Sequence, residues 1–186
     1  GGEKGGVGKS TLTFNLAVNL RESAKVCIVD MDAQGSLMNI KELSEVPVYS
    51  NAELKEVVKK DYDFIFIDTP PYLTDKLSEL CNLADVIVIP TKAGVLDLLA
   101  IKSTIDIIEH SGNNKKALIV FNMVKPKTTL TNEIKDQLKD YEIKISKNMI
   151  SDLVSFSRSV LVNGVEDHHK AQKQIDNLTK EILTLS

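Results

Sequence analysis

The sequence predicts a three-layer α/β fold, with a mainly parallel sheet held between helices. Three observations carry this prediction. Short β-branched runs alternate with amphipathic stretches along the chain, which is the order of βα units. Several of those runs are continuously apolar, as strands covered on both faces are. Two of them, residues 25–30 and 62–68, end on the carboxylates Asp30 and Asp68, at the strand ends where α/β folds keep their ligands. With 186 residues the chain is read as one domain, 1–186, able to bury a good core.

The first element is a loop, Lys4-Gly5-Gly6-Val7-Gly8-Lys9-Ser10-Thr11. Its glycines let backbone N–H groups turn inward around a polyphosphate. Lys9 can reach the β and γ oxygens, and the Ser10 hydroxyl can ligate Mg²⁺. A strand normally launches such a loop, yet only Gly1 and Gly2 precede Glu3. The expectation is therefore that the first strand is missing from this chain, by cropping or by reset numbering.

A helix is expected over 9–22, with Leu12, Leu16 and Leu20 on one face. Residues 25–30 read as a buried strand, 36–43 as helical, 46–49 as a short strand and 52–60 as helical again. The apolar run 62–68 is a strand ending at Asp68. A helix over 75–83 leads to a buried strand over 86–90 and a helix near 96–108. The run 117–122 is a strand ending at Asn122, followed by a helix near 130–138 and a strand near 141–145. Two helices, about 152–162 and 167–183, complete the pattern.

Composition narrows the function. Net charge is −3, which argues against wholesale electrostatic binding of nucleic acid, but the charge is uneven. Residues 1–114 carry a balance of −6, 115–147 a balance of +4 and 148–186 a balance of −1. The middle segment is either a local positive surface or an ordinary solvated face. Cys27 and Cys81 lie far apart in apolar surroundings and form no metal or redox pair, as packed thiols of a cytosolic protein do. No apolar run is long enough to span a bilayer.

A bound triphosphate needs charge neutralisation, a placed Mg²⁺ and an oriented water. Lys9 and the loop amides supply the first. Ser10 and Asp68 supply the second, a sparse oxygen set of the kind Mg²⁺ accepts. Asp32 is the candidate that orients the attacking water, and Asp30 the residue that holds the site together through Mg²⁺ or its waters. Any one aspartate alone reads as a strand-end cap; their joint placement favours a site.

Lys4-Gly5-Gly6-Val7-Gly8-Lys9-Ser10 resembles the deviant Walker A loop of the ParA/MinD family, and Glu3 stands where the general pattern asks for glycine. Asp30-Met31-Asp32-Ala33-Gln34-Gly35-Ser36 resembles its Walker A′ motif, with alanine where proline is usual. The 64–71 segment, ending Asp68-Thr69-Pro70-Pro71, resembles its Walker B strand, and 84–90 its next strand. The resemblance covers most of the chain. It implies a P-loop NTPase fold and a slow, partner-stimulated ATPase using ATP/ADP and Mg²⁺. The catalytic set is then Lys4, Lys9 and Asp32. The nucleotide contacts are Gly5, Gly6, Val7, Gly8, Lys9, Ser10, Thr11 and, against the base, Asn122. The metal set is Ser10, Asp30 and Asp68. It also implies an ATP sandwich dimer in which Lys4 crosses to the partner's phosphates, as an arginine finger does.

Within the family, the chain looks most like the small plasmid-type ParA partition ATPases. Their implied task is non-specific DNA binding that segregates or positions a plasmid, chromosome or other cargo. The expected partner is a ParB-like centromere-binding or adaptor protein, in the nucleoid-associated cytoplasm. Phosphate contacts are expected from Arg158, Lys125, Lys127, Lys144 and Lys147, with Lys115 and Lys116 as further candidates. The alternative is a MinD-like membrane-associated positioning ATPase. The last helix carries Ile175, Leu178, Ile182 and Leu185 on one face, but its polar face mixes acids and lysines. It is read as packed on the sheet rather than as a stable membrane anchor. A metallochaperone or iron-protein relative is disfavoured by the absence of a cluster-binding cysteine pair.

Overall fold

A computed structural model describes residues 6–70, 76–126 and 130–185. The chain divides into two compact units. The first comprises residues 1–72 and 153–175, the second 73–152 and 176–186. Among the described residues, each has its own three-stranded parallel sheet.

In the first unit, α1 (Lys9–Leu20) leads to β1 (Val26–Asp30), β2 (Val48–Ser50), α2 (Leu54–Val57) and β3 (Phe64–Asp68). The strand order is β2-β1-β3. All five residues of the central strand β1 are buried. Its period-two alternation divides them between two layers. Val26 and Ile28 pack with Phe14, Ala17 and Val18 of α1, while Cys27 and Val29 pack with Val57 and Leu54 of α2. The helix α6 (Val154–Val162) returns to this unit and lies on α1, where Asn15 Nδ2 donates to Ser159 Oγ at 2.7 Å.

In the second unit, α3 (Leu77–Leu83), β4 (Ile87–Thr91), α4 (Val95–His110), β5 (Ala117–Phe121), α5 (Leu130–Gln137) and β6 (Lys144–Ile145) follow in order. The sheet order is β4-β5-β6. Ala117, Ile119 and Phe121 of the fully buried β5 pack with Ile101, Ile105 and Ile108 of α4 and with Ile134 and Leu138. The last helix, α7 (His169–Leu183), buries Ala171, Ile175 and Leu178. Among the described residues, no helix is long and apolar enough to cross a membrane.

Three elements differ from the sequence reading. Residues 36–43 read as a helix, yet only Met38–Ile40 forms a short 3-10 turn. The Leu37 and Met38 amides are drawn instead to the Asp30 carboxylate. The run 86–90 reads as a buried strand, but three of the five residues of β4 are only half-buried. It is an edge strand of its sheet among the described residues. An edge position also suits Pro90, whose missing N–H costs no ladder bond on the open side. The strand near 141–145 shrinks to the two residues of β6.

Candidate functional site

The site grows from the register of the first sheet. β1 and β3 run parallel with Asp30 paired to Asp68, so both strands end on a carboxylate at one level. Met31 N donates to Asp68 O at 2.9 Å and extends that pairing past the strand end. Both aspartates are buried, Asp68 at 1% exposure and Asp30 at 3%.

The loop residue Gly8 sits at φ 76°, in the left-handed region that glycine adopts without cost. From there its carbonyl accepts from Leu12 N at 2.9 Å and opens α1. The first N–H groups of a helix have no intrahelical partner and carry partial positive charge, so a loop turning into α1 is suited to an anion. No acidic residue stands in that first turn to compete.

Ser10 Oγ donates to Asp68 Oδ2 at 2.6 Å. The other oxygen, Asp68 Oδ1, is buried with no hydrogen-bond partner. Burial pushes the Asp68 carboxyl up to about 6. The Ser10 hydrogen bond and the Lys9 charge oppose that rise, and Asp30 and Asp32 add to it. Lys9 is half-buried, and loss of water lowers its pKa while Asp68 and then Asp32 hold its charge. A hydroxyl beside a carboxylate with an unsatisfied oxygen is a hard donor set that fits Mg²⁺.

Asp30 is held by backbone amides. Oδ1 accepts from Asp32 N at 3.0 Å, and Oδ2 accepts from Leu37 N at 3.0 Å and Met38 N at 2.9 Å. Its carboxylate is thus directed to backbone amides. Asp32 lies on the loop those bonds enclose, half-buried, with Oδ1 accepting from Gln34 N at 2.9 Å.

The first unit therefore brings together Gly6, Val7, Gly8, Lys9, Ser10, Thr11, Asp30, Asp32 and Asp68. Lys4 and Gly5 lie outside the described residues, as does Lys127. Asn122 belongs to the second unit, just past β5, where it is buried and its N donates to Thr91 O at 2.8 Å.

The basic candidates are not equivalent. Lys125, Lys147 and Arg158 are exposed. Lys144 Nζ stands 3.9 Å from the nearly buried Glu181 carboxylate, and Lys116 Nζ donates to Ala84 O at 2.6 Å. The acidic partner Glu181 was invisible in the sequence, because its contact spans 37 positions to Lys144. The Asp30 bonds had a signal, since Asp-x-Asp-x-x-Gly is a turn-forming pattern. Both cysteines are free and buried, and burial raises the Cys27 thiol to about 11. Among the described residues no His/Cys/Asp/Glu group of three or more could hold a metal ion.

Comparison with known proteins places this geometry in context. The family model described as the CobQ/CobB/MinD/ParA nucleotide binding domain matches residues 1–164. Maintenance of carboxysome distribution protein A of Halothiobacillus neapolitanus is 29% identical over 177 residues, covering 87% of this chain and 82% of that protein. ParA family protein MG470 of Mycoplasma genitalium is 32% identical over 157 residues, covering 74% of this chain. The match spans only 57% of that relative's length. Among solved structures, a putative plasmid partition protein from Borrelia burgdorferi bound to AMPPNP superposes with a TM-score of 0.71. It shares 19% identity and covers 97% of this chain and 95% of that one.

Proposed function

Because the chain belongs to the CobQ/CobB/MinD/ParA nucleotide-binding family, of the ParA/MinD type of P-loop ATPase, we propose that it is a Mg²⁺-dependent ATPase whose ATP state dimerises and binds DNA non-specifically. In this reading it segregates or positions a plasmid, a chromosome or another cargo. The observation that carries the reading is the Ser10–Asp68 contact beside Lys9 at the start of α1.

The residues divide the work by chemistry. Loop amides and the first turn of α1 bind phosphate oxygens, and Lys9 neutralises them. Asp68 and Ser10 would hold Mg²⁺, which when bound would offset phosphate charge. Asp32 orients the attacking water. Asn122 is the adenine contact in this reading.

Lys4 acts in trans. Its charge reaches the phosphates only when two subunits meet, so ATP favours the dimer by binding it better than the monomer. Hydrolysis is slow alone and rises with an adaptor of the ParB kind. The exposed Lys125, Lys147 and Arg158, together with Lys127, make phosphate contacts on DNA, and Lys144 contributes less because Glu181 faces it. In this reading the protein works in the cytoplasm, on the nucleoid.

The test is Lys4→Ala in sedimentation and ATPase assays. The variant should keep monomer nucleotide binding and lose ATP-dependent dimerisation, DNA co-sedimentation and hydrolysis. Full hydrolysis by the variant would remove the trans role. ATP-dependent co-sedimentation of the unaltered protein with anionic liposomes and not with DNA would replace the DNA-positioning reading by a membrane one.

A further inference from the structure

We propose that Asp30 is a positioning residue that clamps the 30–38 loop and thereby fixes Asp32, rather than a ligand to the metal or its waters. The proposal rests on the reading of Asp32 as the water-orienting residue. It is carried by the geometry of one buried carboxylate. Oδ1 takes the Asp32 amide at 3.0 Å, two residues on, and Oδ2 takes the Leu37 and Met38 amides at 3.0 and 2.9 Å, seven and eight residues on.

One side chain therefore ties both ends of the loop to the end of β1. Charged hydrogen bonds of this kind are the stronger class, and a buried carboxylate is retained where amides satisfy it. The interior of the loop is closed by its own turns. Gly35 N donates to Asp32 O at 2.8 Å and Asn39 N to Gly35 O at 2.8 Å. Gly35 holds φ 62°, the left-handed conformation that lets the loop double back. Leu37 is buried in the core formed with α1 and β1, which anchors the far end. Asp32 thus hangs between a fixed strand and a buried leucine.

Asp30 and Asp68 meet as register partners, yet their carboxylates are used differently. Asp68 keeps an unsatisfied buried oxygen, whereas both Asp30 oxygens are occupied by backbone donors. The loop gains its shape from Asp30, and the cation its ligand from Asp68. Small displacements of a catalytic group cost on the order of 100-fold in rate, so a loosened clamp is felt at Asp32.

Asp30→Asn tests this, because an amide cannot accept from all three donors at once. The expected result in single-turnover hydrolysis is a fall of roughly 10- to 100-fold in rate. Nucleotide affinity and the Mg²⁺ concentration for half-saturation should stay unchanged. In the nucleotide-free variant, the Leu37 and Met38 amides should exchange at least about 10-fold faster while those of α1 stay protected. A raised Mg²⁺ requirement would overturn the proposal in favour of a metal role. A reduced thermal midpoint with a normal rate for the folded protein would also overturn it, leaving a purely structural role.

Should Asp30→Asn fail to fold, Gly35→Ala loosens the same loop without touching a polar group. A normal rate in that variant, with Leu37 and Met38 exchange accelerated, would equally overturn the clamp. Asp32→Ala separates the two layers of the argument. Normal hydrolysis there removes the role of Asp32 itself, whereas its loss together with a normal Asp30→Asn removes only the clamp.

Discussion

Asp68→Asn isolates the electrostatic cost of the site. In the folded protein without ligand, burial raises the Asp68 carboxyl from 3.8 to about 6. A raised carboxyl pKa means that the folded chain holds the proton more tightly than the unfolded chain. The associated stability is fully present below pH 3.8 and is lost as pH rises through 6. A shift of about 2 pH units at ~1.4 kcal/mol each amounts to about 3 kcal/mol across the whole window. About 1 kcal/mol of that is already gone at pH ~4.5, so some 2 kcal/mol remains to be lost by pH ~7.5.

Asparagine cannot ionise, so its stability lacks this term. Its carbonyl can still accept from Ser10 Oγ, while its amide group lacks a defined acceptor and costs roughly 1–3 kcal/mol at every pH. The informative quantity is therefore the change in the difference between the two proteins. Urea unfolding should show that difference moving by about 2 kcal/mol in favour of Asp68→Asn between pH ~4.5 and ~7.5. A difference that stays constant to within ~0.5 kcal/mol would refute the desolvation argument, and with it the claim that Asp68 is destabilised until a cation arrives.

Two further outcomes are expected. Glu181 is a half-buried acceptor for Ser146 Oγ and Asn148 Nδ2, both at 2.7 Å, and for Lys147 N at 3.2 Å. Burial opposes its charge, but these bonds prevail and hold its carboxyl below the ordinary 4.5. Its stability is present above pH 4.5 and lost as pH falls through the lowered value. Glu181→Gln should therefore cost about 1–3 kcal/mol in urea unfolding at neutral pH, with the gap narrowing in acid. Phe14 of α1 is fully buried against β1, so Phe14→Ala should cost about 3–5 kcal/mol, measured by urea unfolding. The folded fraction should still bind nucleotide, because Phe14 makes packing contacts and no polar ones.

The grouping of candidate residues in the first unit was largely legible in the sequence because its parts are local. Gly8, Lys9 and Ser10 are contiguous, Asp30 and Asp32 are two apart, and strand ends in an α/β pattern place Asp68 beside them. The continuous apolar runs gave β1 and β5 correctly, since both are central and buried on two faces. The same signal overstated β4, because apolar content does not tell a central strand from an edge strand. Helical periodicity over 36–43 misled for another reason. A tertiary acceptor, Asp30, takes the amides of Leu37 and Met38 before a helix can use that segment. Pairings such as Ser159 with Asn15 or Glu181 with Ser146 depend on fold topology and have no local signature.

The charges of the site explain why a stable protein keeps an unfavourable arrangement. Asp30, Asp32 and Asp68 converge on the start of α1, where Lys9 supplies the cationic side chain within the first unit's described residues. Backbone amides absorb the charge of Asp30, and Asp32 is half-exposed, with Gln34 N on one oxygen. The imbalance falls on Asp68, buried and with one oxygen unsatisfied, and its raised pKa is the consequence. A group tuned this way gains more from a divalent cation than a solvated aspartate does, because the desolvation cost is already borne in the folded state. The strain at Asp68 and the clamp at Asp30 are then two parts of one arrangement. In the proposed reading, one favours a cation, and the other would hold Asp32 at a fixed distance from where that cation and its phosphates would bind.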